Sequence, residues 1–267
     1  MGAGYARALG GRLVHALGPE GDPVVSAILD RLAALGIDHR PIRVPGHLSD
    51  WTLLVTSGPF GDKLPIGFRG CHAALTPGDL PDDLLGPCDL RAVAALPNRL
   101  CERALRAPGA AVRLLAPAIR NAVDRDPPLA SFADAVDLLT CNRREWERLD
   151  DRDEVARRVA VVAVTDGPDG ARVMHRDLDG TPAEVYVDAF PRSRPPRDTN
   201  RAGEAFGSTL ITALLDAGWI GGPVPAEVVS RAAARASAAA ALVLDRLDFG
   251  FPEPAEVDVA LRAGRVD

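Results

Sequence analysis

At 267 residues the chain can bury a sizeable core and stands near the upper end of what one domain holds, so a single domain over 1–267 is expected. Its 47% hydrophobic and 25% charged content excludes disorder over most of its length, and a net charge of −6 excludes a general nucleic-acid or anionic-membrane surface, which needs an excess of Lys and Arg. No apolar run is long enough to span a bilayer and Met1–Arg7 lacks the features of a signal peptide, so a cytoplasmic protein with a small-molecule partner is expected.

The four cysteines, Cys71, Cys88, Cys101 and Cys141, are scattered without a CxxC pair, so their spacing suggests reduced thiols and neither a zinc site nor a disulfide framework. The five histidines likewise show no metal-ligand spacing and read as structural or surface residues. Lys63 is the sole lysine and is not part of a Gly-Lys-Ser/Thr core, which excludes a P-loop. Gly2-x-Gly4 lacks both a third glycine and a preceding strand, so it is no dinucleotide fingerprint.

In chain order, Tyr5 to Leu9 is helical in pattern, Gly10-Gly11 interrupts it, and Arg12 to Leu17 reads as a short buried strand. Asp22-Pro23 opens a helix with apolar residues at helical spacing, closed by Gly36, and Ile37 to Val44 leads out extended. Trp51 to Thr56 and Leu64 to Phe68 form a hairpin candidate, with 48–70 as a lid-like insertion. Leu90 to Leu96 and Leu100 to Leu105 read as helices, and Ala110 to Leu115 as a strand. Ser131 to Leu139 ends in an apolar run, and Asn142 starts a helix through Leu149. Val159 to Thr165 is an apolar run suited to a strand covered on both faces. Ala171 to Met174 and Ala183 to Val187 pair as antiparallel strands, a Pro- and Arg-rich loop spans 191–197, and helices follow over Ala202 to Ala217 and Ala226 to Leu244, with a short one at the end. The alternation implies a three-layer α/β/α domain with a mostly parallel central sheet.

The sharpest chemical feature is the loop-to-helix junction Asp198-Thr199-Asn200-Arg201-Ala202-Gly203-Glu204. Backbone N–H groups at a helix start are orphan donors at the positive end of a dipole, Gly203 admits a ligand closely, and Glu204 could take a proton from an attacking hydroxyl. Taken alone, the same residues could simply cap a helix, with Gly203 serving packing. The arginines Arg192, Arg194 and Arg197 read as a solvated basic loop.

Asp198 to Phe206 resembles the D-T-x-G-A-G-D-x-F signature of the ribokinase or PfkB family of carbohydrate and nucleoside kinases. Val164 to Ala171 is similar to its V-T-x-G-x-x-G-A loop and Asn142 to Glu145 to its N-x-x-E motif. The resemblance spans nearly the whole chain and implies a ribokinase-like fold and ATP-dependent phosphorylation of an alcohol group on a sugar or nucleoside-like molecule. It implies that Arg201, Ala202 and Gly203 form the anion hole, that Glu204 is the base, and that Asn142, Thr165, Gly167 and Gly170 line the ATP site. Glu145 would act near Mg²⁺, and Asp198 and Thr199 would support a loop that in some members binds a monovalent cation such as K⁺. Glu204 stands where the family has Asp, and Arg201 where it has the first Gly. Relative to the family the chain begins late, without the first strand and part of the lid. These departures define the alternative, a catalytically impaired relative that binds a nucleotide or metabolite in a regulatory or structural role. A homodimer covering the exposed lid edges is expected.

Overall fold

The computed structural model describes residues 1–57, 62–247 and 249–266. The chain opens with helix α1 (Gly2–Leu9), strand β1 (Leu13–Leu17), helix α2 (Pro23–Ala34) and strand β2 (His39–Arg43). Asp22 caps α2 as the Asp-Pro signal predicts, its carboxylate accepting from the Val24 N–H at 3.0 Å with Pro23 at the first helical position. Strands β3 (Trp51–Ser57) and β4 (Asp62–Phe68) form the expected antiparallel hairpin; of the turn-rich stretch 57–62 between them, residues 58–61 lie outside the described residues. A one-turn helix, α3 (Cys71–Ala74), follows.

The central layer begins with β5 (Cys88–Ala94), then α4 (Asn98–Arg106), β6 (Ala110–Ala116), α5 (Ile119–Val123), β7 (Leu138–Asn142), α6 (Arg143–Glu147), α7 (Arg152–Arg158) and β8 (Val161–Thr165). Strands β9 (Ala171–Arg176) and β10 (Pro182–Val187) complete a six-stranded sheet in the order β10-β9-β8-β7-β6-β5, in which β5 to β8 run parallel and β9 and β10 antiparallel. Helices α8 (Ala202–Asp216), α9 (Ala226–Val243) and α10 (Pro254–Ala263) close the chain.

Strand alternation explains the layers. Leu114, Leu138, Val161 and Ala163 face Phe206, Leu210 and Leu214 of α8 and Val229 and Ala233 of α9. The intervening residues Leu115, Leu139, Val162 and Val164 face Leu105, Phe132, Trp146 and Val155 on the other side. Both faces are therefore covered, which is why β8 carries an unbroken apolar run. Each fully buried Leu or Phe on α8 contributes about 1.5–3 kcal/mol by burial, enough in sum to fix that helix, and its N-terminus with it, over the sheet.

One predicted element changes type. The Leu90 to Leu96 stretch reads as a helix but is mostly strand β5. The deciding residue is Arg91, 8% exposed, whose guanidinium donates to the carbonyls of Leu85, Gly86, Ala104, Ala107 and Pro108. Those acceptors lie on neighbouring segments, so tertiary hydrogen bonding overrides a helical propensity worth only tenths of a kcal/mol per residue, on the order of 0.5. Strands β1 and β2 form a separate parallel pair, and the predicted lid strands a third sheet, among the described residues.

Candidate active site

The parallel strands β7 and β8 end side by side, with Asn142 and Thr165 as register partners and the Thr165 hydroxyl donating to the Cys141 carbonyl at 3.4 Å. Ligands in open α/β sheets gather outside such carboxyl ends. The N-x-x-E motif proves to be a capping box: the Asn142 side chain accepts from the Glu145 N–H, and the Glu145 carboxylate accepts from the Asn142 N–H, both at 2.9 Å. The predicted helix from Asn142 through Leu149 is a single short piece, α6, and α7 beyond it was not read from the sequence.

The loop after β8 takes its shape from its glycines. Gly167 and Gly170 have φ of 57° and 87°, where side-chain-bearing residues are strained. A Cβ on Gly170 would also lie 2.1 Å from the Val187 carbonyl oxygen. Gly170→Ala should therefore lower Tm sharply, with backbone strain alone costing about 1–3 kcal/mol, as thermal unfolding would show; an unchanged Tm would mean the loop is free to rearrange. Arg143 clamps the loop to α6 through an ion pair to Asp166 at 2.6 Å. Beside it lies a cleft of about 820 Å³ bordered by Trp146, Asp169, Arg172 and Tyr186. A second hollow of about 380 Å³ is lined by the exit of β10 and by Ala234 and Ser237 of α9.

At α8 the first helical bond runs from the Ala205 N–H to the Arg201 carbonyl at 2.8 Å, so the amides of Ala202, Gly203 and Glu204 stand ahead of the helical ladder. Asp198 shapes the approach, accepting from the Asn200 N–H at 2.8 Å while its own N–H donates to the Leu244 carbonyl; Thr199 is exposed beside it. A Cβ built on Gly203 meets nothing within 4 Å. No neighbour within the described chain requires a glycine there, so the packing explanation for Gly203 fails.

Both departures from the family signature have a structural account. Arg201 keeps the left-handed backbone of a glycine, φ 68° and ψ −3°, at a strain of about 1–2 kcal/mol. Its guanidinium turns into the loop after α9, donating to the Arg246 carbonyl at 2.8 Å and the Gly250 carbonyl at 3.2 Å, 5.9 Å over the Phe249 ring. That direction leaves the helix start open. The extra methylene of Glu204 lies over Gly4 of α1, where a Cβ would stand 3.3 Å from the Glu204 Cγ and 3.4 Å from the Phe251 ring. The Glu204 carboxylate is 3.7 Å from the Met1 α-amino group. Gly4 has a role that a motif search had no reason to give it.

Tyr5 is buried near both carboxylates, Glu204 and Glu145. Its ring is 3% exposed, and a Cβ on Gly207 of α8 would come within 2.3 Å of its hydroxyl. Burial, with the negative charges of Glu204 and Glu145 nearby, pushes its hydroxyl far above the usual range, so it stays protonated and shares a hydrogen bond with Thr140. Glu145 is likewise raised, by burial first and by the charge of Glu204, against the hydrogen bonds from Asn142. Its folded form thus holds a proton more tightly than the unfolded chain does, and the resulting destabilisation grows as pH rises from about 4. Glu145→Gln keeps the cap acceptor without the charge. It should melt above the parent at pH 7 and equally at about pH 3; a uniform loss at both would show that the cap itself had failed.

Of the basic loop, Arg192 is not solvated: its guanidinium pairs with Asp245 at 2.6 Å and donates to the Ala241 carbonyl. Asn142, Glu145, Thr165, Gly167 and Gly170 thus converge at the ends of β7 and β8, with Glu204 close enough to Glu145 to perturb it, and Ala202 and Gly203 open the facing helix.

An α/β/α domain with a mostly parallel central sheet and helices on both faces is the architecture of a ribokinase-like fold, and the solved structures agree. A ribokinase from Giardia lamblia superposes with a TM-score of 0.77 at 20% identity, covering 98% of this chain and 88% of that one. A Burkholderia thailandensis nucleoside kinase in complex with inosine gives 0.73 at 21% identity over 98% and 85%, and a Methanocaldococcus jannaschii nucleoside kinase 0.73 at 15% over 98% and 84%. No curated protein sequence matches. Residues 3–256 match the pfkB family of carbohydrate kinases, and the chain belongs to that family.

Proposed function

We propose that this protein is an ATP- and Mg²⁺-dependent kinase that phosphorylates an alcohol group of a sugar or nucleoside-like molecule. The observation that carries this reading is the opening at Gly203: a glycine with no packing partner, next to advance-standing amides and within the same site as Glu204. An anionic group fits that cradle, and a side chain would fill it. Asn142, Thr165, Gly167 and Gly170 would hold the nucleotide, and Glu145 would act toward Mg²⁺. When bound, ATP supplies the transferred phosphoryl group and Mg²⁺ neutralises part of its charge. The amides of Arg201, Ala202 and Gly203 would steady the negative charge, Glu204 would accept the proton of the acceptor hydroxyl, and Asp198 and Thr199 would hold the loop, with K⁺ a candidate occupant beside it.

Calorimetric titration with ATP and a non-hydrolysable analogue, with and without Mg²⁺, tests this. Mg²⁺-dependent binding is expected, followed by phosphorylation of ribose-like sugars or of nucleosides such as inosine, which one structural relative binds. Absence of binding at millimolar nucleotide would shift the reading to the non-catalytic relative.

We read 1–267 as one domain with 48–70 as its lid, in a cytoplasmic protein; no described helix is long and apolar enough to cross a membrane. Trp51, Leu53 and Val55 of β3 pair with Phe68, Ile66 and Leu64 of β4, and all six side chains are exposed. A second copy of the chain covering this apolar face would give a homodimer. Light scattering should report a dimer that Leu53→Glu with Ile66→Glu converts to a monomer; a monomeric parent at micromolar concentration would contradict it.

A further inference from the structure

At the root of the hairpin, Asp50 immediately precedes β3, and Cys71 and His72 open α3 after the two residues, Arg69 and Gly70, that follow β4. Their donor atoms face one another: Asp50 Oδ1 to His72 Nδ1 is 3.3 Å, Cys71 Sγ to Asp50 Oδ1 is 3.7 Å and Cys71 Sγ to His72 Nδ1 is 3.8 Å. A tetrahedral zinc with ordinary bond lengths would need edges of about 3.3, 3.5 and 3.5 Å between the same atom types. The three observed separations thus match one face of that tetrahedron to within about 0.3 Å.

The frame holding these atoms is rigid. Asp50 Oδ1 accepts from the N–H groups of Gly70 at 2.9 Å and His72 at 3.1 Å, hydrogen bonds of the kind that orient a ligating carboxylate. The Cys71 N–H donates to the Leu48 carbonyl at 2.8 Å, and a Cβ on Gly70 would lie 2.0 Å from that oxygen, so the two roots are locked together. Cys71 is buried, whereas the side chains of His72 and Asp50 keep 23% and 12% exposure, so the cluster lies at the edge of the solvent-accessible surface.

We propose that Asp50, Cys71 and His72 form a binding site for a borderline-soft divalent cation of the zinc or cobalt(II) type, completed by water. One thiolate, one imidazole and one carboxylate suit such ions and disfavour Mg²⁺, so this site is distinct from the Mg²⁺ that phosphoryl transfer uses. The metal–sulfur bond replaces the S–H bond, and the thiol proton passes to solvent. With thiolate and carboxylate each at −1, the M²⁺ complex is neutral. Arg69, 3.7 Å from Asp50 Oδ2 and half exposed, lies on the carboxylate oxygen that the cation does not use. A bound ion would clasp the start of β3 to the end of β4 and so set the stance of the hairpin.

The test is titration of the reduced, metal-stripped protein with cobalt(II), then displacement by zinc, with Mg²⁺ as control. A stoichiometric complex is expected, showing a thiolate-to-cobalt charge-transfer band, four-coordinate visible bands and a rise in Tm. His72→Gln, at a partly exposed position, and Asp50→Asn, which keeps the amide acceptor, should each weaken binding by at least about tenfold with unchanged circular dichroism. Cys71→Ser should abolish the charge-transfer band. No stoichiometric binding at micromolar metal, equal binding by His72→Gln, or competition by Mg²⁺ at comparable concentration would overturn the site.

Discussion

Glu204→Gln is expected to lower kcat by about 10²–10⁴-fold while leaving the affinity for Mg²⁺ and nucleotide nearly unchanged. The substitution preserves volume, the Gly4 contact and one oxygen acceptor, and removes the negative charge together with the capacity to accept a proton. Glu204→Asp keeps the charge but withdraws it from the position that the folded methylene reaches over Gly4. It should therefore fall between the parent and Gln. The measurement is steady-state turnover on whichever sugar or nucleoside the screen identifies, paired with calorimetric nucleotide affinity. Equal turnover in the parent and Glu204→Gln would remove Glu204 from the role of base. A loss of affinity as large as the loss of turnover would instead assign the carboxylate to binding.

Gly203→Val should separate stability from function in opposite directions. Within a helix glycine costs roughly 1 kcal/mol relative to alanine, and among the described residues no atom beyond the helix's own neighbouring backbone lies within 4 Å of a Cβ at this position. The fold therefore has no steric objection, and Gly203→Ala should hold or raise Tm. The same side chains occupy the space that an approaching phosphate needs. Nucleotide affinity should fall by about tenfold or more in Ala and further in Val, since each 1.4 kcal/mol of lost contact is a factor of ten. Thermal unfolding and calorimetry on the same preparations decide the matter. A fall in Tm with unchanged affinity would return Gly203 to a packing role and deprive the anion site of its main support.

The contrast with Gly170 shows why glycines need a structure before they can be interpreted. Both belong to motifs that a reader of sequence would single out. Gly170 is required by the chain itself, through a positive φ and the Val187 carbonyl, whereas Gly203 is required by nothing in the described chain. Only the second kind leaves space of the sort that the proposed anion site requires.

Much of the architecture was legible from local chemistry. The apolar run of β8, the capping box at Asn142 and Glu145, the Asp22-Pro23 helix start and the glycine-bounded loop after Thr165 are short-range features, decided by residues a few positions apart. The ordered motifs around Asn142, Thr165 and Glu204 resemble one family pattern, and the match over 3–256 shows the family, though not the roles of those residues. What local chemistry could not decide was set by distant partners. β5 is a strand because the buried Arg91 finds five carbonyls on other segments. Arg201 leaves the helix start open because the loop at 246–250 receives its guanidinium, and Glu204 finds room because Gly4, two hundred positions earlier, lacks a side chain. Asp50, Cys71 and His72 have no ligand spacing along the chain; the antiparallel return of β4 alone brings them together. Propensity, capping and alternation act over a few residues and are written in the sequence, whereas the contacts that orient a charge or assemble a site depend on which surfaces the fold makes neighbours.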